Sequence, residues 1–201
     1  MFTDDILAAK NDDDEIEDKT YDHEVITAAD CYGMDLRSVT CVGCRFIECD
    51  FGKASYYSCS FIRCDMSSCK MPDSYWKDCI IEGCKCNGTV FTDSVFKKTA
   101  FRENNLSYAL MSETAFEGCA LSGCDMSNAL MSQISFKNTS FKQCRFIKTD
   151  LFRTSLKGID LSECTLSGIT VSDDHSELRG LVVSYDQAAE LSTLLGIKIR
   201  K

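Results

Sequence analysis

Residues 41–80 read CVGCRFIECDFGKASYYSCSFIRCDMSSCKMPDSYWKDCI, and within them Cys41, Phe46, Phe51, Tyr56, Phe61, Met66, Met71 and Trp76 recur at every fifth position. Followed outward, this frame runs from Ile26 to Val171, and all thirty positions are apolar or cysteine. A helix face returns every 3.6 residues and a strand face every 2, so neither sustains a period of five. A chain that keeps such a period must be a solenoid whose wall bends once per five residues.

A second column confirms the frame. Two residues before each of those positions stands a compact residue, as at Cys44, Cys49, Ala54, Cys59, Cys64, Cys69, Ser74, Cys79, Cys84, Thr89, Ser94 and Thr99; larger exceptions include Glu24, Met34, Asn104, Ile134 and Ile159. The unit is small, variable, large apolar, polar, polar, as in CDFGK from Cys49 and CDMSN from Cys124. This resembles the pentapeptide-repeat family, with consensus A-(D/N)-L-X-X, over about residues 24 to 173. The resemblance implies an all-β fold, a right-handed quadrilateral parallel β-helix with four pentapeptides per coil. An internal echo points to the same 20-residue coil: SYALMSETAF from Ser107 returns as SNALMSQISF from Ser127. Three segments are expected: an acidic N-terminal segment over 1–23, the β-helix over 24–173, and a C-terminal helix-strand cap over 174–201.

Fourteen cysteines would ordinarily suggest zinc or disulfides. Here all of them fall in the two inward columns, eleven in the small one and three (Cys31, Cys41, Cys86) in the large one. Free cysteine packs as a small hydrophobe, so a structural role is expected, with no metal and no cofactor. A Ser/His/Asp set, a glycine-rich phosphate loop and a metal cluster outside the packing columns are all missing from the sequence, so no enzyme is expected. No apolar stretch is long enough for a membrane span. The acidic start, without a signal-peptide pattern, makes a cytoplasmic protein the default.

The formal net charge is −9, but ten acids against Lys10 and Lys19 lie in residues 1–25, leaving 21 acids and 20 bases beyond. The N-terminal run reads either as a solvated tail or as an acidic arm for a basic partner; Thr3 to Lys10 has the composition for one or two helical turns with Thr3 as N-cap. Within the coils, a four-sided turn gathers Asp50, Asp73, Asp93 and Glu113 on one side, beside an outward apolar column of Val90, Leu110 and Leu130. The next side is basic, with Lys77, Lys97, Lys98, Lys137 and Lys157. Stacked like charges and exposed leucines are both costly, so the side is either a recognition surface or ordinary drift of a repeat surface.

Beyond Val171 the frame breaks through SDDHSELRG. Ser184 to Gln187 then matches a capping box; Ala188, Leu191, Leu194 and Leu195 follow at helical spacing, Gly196 is placed to stop the helix, and Ile197–Ile199 is expected to be a short strand. YDQAAELSTLLGIKI resembles the C-terminal element of pentapeptide-repeat proteins that act on DNA gyrase, of quinolone-resistance and microcin-immunity types. That resemblance implies a homodimer joined end to end through Leu191, Leu194, Leu195, Ile197 and Ile199, although capping alone would also explain the pattern. It further implies a non-enzymatic DNA mimic that binds DNA gyrase or topoisomerase IV, without contacting nucleic acid or membrane itself. The alternative is a protein–protein interaction scaffold with an unrelated partner.

Overall fold

The computed structural model describes residues 1–12 and 14–199. Eight coils wind from Ile16, and every strand pair in them is parallel with partners twenty residues apart, as in Ile80↔Ala100 and Tyr56↔Trp76. A first wall stacks seven strands, from Ile16–Glu17 through Tyr75–Lys77 to Ser135–Lys137, and a second stacks seven more, from Thr20–Asp22 to Ser140–Lys142. The third wall, which includes Arg45–Ile47 and Arg145–Ile147, is strand at its ends and single bridges between. The fourth consists of bridges alone, running Asp30, Asp50, Lys70, Val90, Leu110, Leu130, Asp150, Thr170.

Each wall ends in a corner two residues after the large inward residue. From Asp18 to Gly158 the described corners take a left-handed backbone. That conformation is costly for most side chains and free for glycine, which accounts for the glycines at 33, 43, 83, 88, 118 and 123 without invoking a loop. The large column fills the interior: Tyr56, Trp76, Phe96 and Phe116 stack face to face up the first wall, with ring centroids 3.7, 5.7 and 5.1 Å apart. The small slot is a donor slot as well as a tight one. Thr89, Thr114 and Thr154 hydroxyls donate to the carbonyls of Met66, Phe91 and Met131 at 2.6–2.7 Å, and the Cys59, Cys64 and Cys84 thiols donate to Leu36, Cys41 and Phe61 carbonyls at 3.3–3.4 Å. Cysteine, serine and threonine are small enough for the slot and satisfy a carbonyl of the coil before. All fourteen cysteines are buried and unbridged.

The N-terminal segment differs from the expected acidic segment. Phe2–Asp12 forms a helix, α1, that starts one residue before Thr3, so Thr3 is not its N-cap. Phe2, Ile6 and Ala9 are buried over the open end of the first coil, and Phe2 meets Tyr21 and Phe46 edge-on at 4.8 and 5.5 Å. An uncovered solenoid end would expose its core, and this three-residue stripe covers it. The coils also begin before residue 24: Ile16 and Tyr21 extend the five-residue frame backwards, both buried. Asp14, Lys19 and Glu24 occupy the small column there, which hides the repeat in the sequence.

At the other end the coil register slips. Asp160 bridges Val182, a step of 22 instead of 20, and the Leu156 and Leu161 amides donate to the carbonyls of Glu177 and Val182 at 3.0 and 2.9 Å. The passage 172–183 is therefore part of a further coil, entered after two inserted residues, with Leu178 and Val183 packed against the core in the large positions. A second helix, α2 (Tyr185–Ser192), follows with both bonds of the Ser184–Gln187 capping box in place. The Gln187 side-chain amide also donates to the Leu161 and Cys164 carbonyls, at 2.8 and 2.6 Å. A 3-10 turn over Thr193–Leu195 ends at Gly196 with φ 73°. Residues 197–199 do not form the expected strand and pair with no coil.

Candidate interaction surface

The fourth wall brings together most of the residues singled out in the sequence. It presents, from one corner to the other, the bridge column, a hydroxyl column and the next corner. Val90, Leu110 and Leu130 follow one another in the bridge column, the first two half-buried and Leu130 44% exposed. Beside them run Thr92, Ser112 and Ser132, with Ser112 and Ser132 hydroxyls 2.9 Å apart. Asp73, Asp93 and Glu113 then occupy one corner column, at φ 56°, 57° and 60°, all exposed. Aspartate tolerates that backbone better than most residues, so the corner accommodates the two aspartates at reduced cost.

Asp50 stands apart from that ladder. It lies in the bridge column, two rungs before Val90, and its Oδ1 accepts from the Gly52 amide at 2.9 Å. Asp30, Asp65, Asp125, Asp150 and Asp160 make the same turn-closing bond to the residue two ahead. This is an Asx-turn at the (D/N) position of the repeat, a backbone role that the charge pattern does not reveal.

The carboxylate column is short. Lys53 and Arg153 occupy its corner on either side, and Gln133 reaches Glu113 Oε1 at 3.4 Å. Tyr32 and Asp73 beside Lys53 raise its ammonium above the ordinary lysine range. Asp73, Asp93 and Glu113 themselves have no ion-pair partner within 4.0 Å among the described residues. The basic side is the first wall, and two of its lysines, Lys97 and Lys137, are paired. Glu117 sits between Lys97 and Lys137, at 3.9 and 2.7 Å, and is held below the usual carboxylate range chiefly by the Lys137 ammonium. The Arg37 guanidinium pairs with Glu15 and lies 4.2 Å over the Tyr57 ring.

The five C-terminal residues divide into two groups. Leu191 and Leu194 turn inward and pack on the core, while Leu195, Ile197 and Ile199 are exposed, as are Val182 and Tyr185. Leu178, Leu181, Val183, Leu191 and Leu195 line a shallow apolar hollow of about 360 Å³ beside α2. Three exposed aromatics, Tyr32, Tyr108 and Phe152, went unnoticed in the sequence. Tyr108, 62% exposed, occupies the corner that opens the fourth wall, at φ 59°. The signal was present: the residue falls in the corner column, where no other Phe, Tyr or Trp adopts a left-handed backbone among the described residues. No group of three or more potential metal ligands occurs among the described residues, and none of their helices is long and apolar enough to cross a membrane.

Residues 94–133 and 131–168 match the pentapeptide repeats family in eight copies. The same frame and 20-residue register extend on both sides of that stretch, to Ile16 and Val171. No curated protein matches the chain. Among solved structures, the chain is similar to trypsin-treated QnrB1, a plasmid-mediated fluoroquinolone resistance protein, at 17% identity and a TM-score of 0.45, over 92% of this chain and 99% of that one. It is similar to HetL, a pentapeptide repeat protein involved in heterocyst differentiation regulation from Nostoc sp. strain PCC 7120, at 11% identity and a TM-score of 0.39, over 89% and 91%. It is also similar to a pentapeptide repeat protein from the Arabidopsis thaliana thylakoid lumen, at 15% identity and a TM-score of 0.19, over 85% and 90%.

Proposed function

We propose that this pentapeptide-repeat β-helix is a non-catalytic binding protein of the cytoplasm that offers its fourth wall, in place of duplex DNA, to a type II topoisomerase such as DNA gyrase or topoisomerase IV. The observation that carries this reading is the column of Asp73, Asp93 and Glu113, three exposed carboxylates on successive coils without an ion-pair partner within 4.0 Å among the described residues. Such a ladder offers a basic DNA-binding surface negative charge at a spacing of ~4.8 Å, and the attraction weakens as salt rises. Eight coils make a rod of roughly 38 Å. Two rods joined through the exposed Leu195, Ile197 and Ile199 beside Leu191 and Leu194 approach the length of about 22 base pairs at ~3.4 Å per step.

A supercoiling assay with purified gyrase tests the reading, with and without a fluoroquinolone. The intact protein is expected to lower supercoiling, and reversing the charge of Asp73, Asp93 and Glu113 together is expected to abolish the effect at nearly unchanged stability, because exposed charges contribute little to folding. No effect on gyrase or topoisomerase IV would remove the reading. The drug arm reports separately whether quinolone action is relieved.

A second reading is a scaffold for an unrelated protein, recognised through Val90, Leu110 and Leu130. What favours it is the near-neutral charge of the coils beyond residue 25, 21 acids against 20 bases, where a DNA imitator would be acidic throughout.

A further inference from the structure

Tyr108 is the one aromatic of its corner column, in which Ala28, Glu48, Ser68 and Lys148 also take a left-handed backbone. The preceding coil carries Gly88 at that corner and the next carries Asn128, the residue types that accept a left-handed backbone. A bulky aromatic at φ 59° is strained there, and it is also 62% exposed, so packing returns nothing for the strain. Tyrosine, with tryptophan and arginine, is enriched at the energetic centres of interfaces.

The wall beside it has a definite shape. Tyr108 marks one corner and Glu113 the other, with Leu110 and Ser112 between them. Three extended residues make a strip roughly 10 Å wide, which is the diameter of an α-helix. The columns run along the solenoid axis at ~4.8 Å per rung, close to the ~5.4 Å pitch of a helix laid along that axis. One edge of the strip is apolar, through Leu110 and Leu130, and the other is acidic, through Asp93 and Glu113.

We propose that Tyr108, with Leu110, Leu130, Asp93 and Glu113, forms a docking strip for an amphipathic basic helix of a protein partner. The apolar face of the helix lies on Leu110 and Leu130 against the Tyr108 ring, and its lysine or arginine flank lies over Asp93 and Glu113. The charge of the strip selects the flank, and its width accommodates a helix. The proposal rests on reading the fourth wall as the binding face, and it names the element of the partner that the wall accepts.

The test uses the full chain and a fluorescent helical peptide of about 18 residues, built from Leu on one face, Lys on one flank and Gln elsewhere. A second peptide carries Glu in place of every Lys. The Lys peptide is expected to bind, more weakly as salt rises, and the Glu peptide is not. Tyr108→Asn, which suits the backbone of that corner, is expected to keep or raise the melting temperature while weakening the Lys peptide about tenfold or more. The double variant Asp93→Asn, Glu113→Gln is expected to remove most of the salt dependence. Equal binding of the two peptides, binding of neither, or full affinity in Tyr108→Asn would each overturn the docking strip. Lys-peptide binding as expected, together with no effect on supercoiling, would leave the strip standing and remove the topoisomerase reading alone.

Discussion

Glu177 supplies, with its side chain, the acceptor that the next coil's backbone does not offer to Arg153. The Arg153 amide donates to Glu177 Oε1 at 2.7 Å, whereas one coil earlier the Gln133 amide donates to the Phe152 carbonyl at 2.9 Å. The same oxygen accepts from the Ser172 amide and hydroxyl, at 3.1 and 2.6 Å. A buried side chain thus stands in for a backbone carbonyl at the point where the chain slips register, and the amide ladder resumes beyond it, from Leu156 to the Glu177 carbonyl and from Leu161 to that of Val182.

Removing that carboxylate is expected to loosen the last coil. Burial opposes its charge, but the Ser172 hydroxyl and the Arg153 and Ser172 amides outweigh this and hold the carboxyl below its ordinary value. A lowered folded value gives stability that is present above the unfolded pKa and lost as pH falls through the folded one. Glu177→Ala should cost roughly 2–3 kcal/mol at neutral pH, the worth of hydrogen bonds to a charged group, and the gap between variant and parent should close below about pH 4. Urea melts across pH measure it; a pH-independent gap would show that packing, and not the charge, is what matters.

The Tyr56 hydroxyl is fully buried and has no hydrogen-bond partner, although its ring stacks on Trp76 at 3.7 Å. Tyr56→Phe keeps the stack and deletes an unsatisfied group, so it should stabilise the protein by about 1–2 kcal/mol. Phe116→Ala, three rungs further in the same column, should instead cost about 3–5 kcal/mol through the cavity it leaves. Thermal melts of the two variants are expected to move in opposite directions.

The cysteines should be silent toward thiol reagents in the folded protein. Burial raises the Cys69 thiol to about 12 and pushes those of Cys31 and Cys86 up as well, and only the thiolate reacts. Hydrogen bonds from Cys41, Cys79 and Cys144 lower the thiols of Cys44, Cys59 and Cys124, which burial alone keeps from reagents. Cys64→Ala loses one weak bond to the Cys41 carbonyl and should cost far less than Phe116→Ala. Time-resolved labelling before and after denaturation checks the first point. Fast modification of many sites in the native state would mean that the coils open readily.

Light scattering is expected to report a dimer, and Leu195→Lys with Ile197→Lys to report a monomer with little change in melting temperature, since both side chains are exposed. Truncating the chain after Asp173 would be a poor substitute, because Glu177 and Val182 hydrogen-bond to the eighth coil. A monomeric parent protein would end the end-to-end model.

The five-residue period from Ile26 to Val171 determined the solenoid and the inward direction of every cysteine, because a wall that bends once per unit leaves one large and one small slot, and only certain residues fill them. The capping box at Ser184 and the stop at Gly196 were legible for the same local reason. What lies at the two ends was not. Phe2, Ile6 and Ala9 form a cap only when a coil end lies beneath them, and a dense run of acids masks so short a stripe. The two-residue slip at 172–183 resumes the frame at Leu178 and Val183, but its role appears only when Asp160 is found opposite Val182. Along the fourth wall, the sequence placed Asp73, Asp93 and Glu113 in one column; the backbone angles decided that this column, like that of Tyr108, is a corner, where side chains project outward from a strained turn. Periodicity is a local property and is written in the chain, whereas the closure of an end and the exposure of a corner depend on what the neighbouring coil supplies.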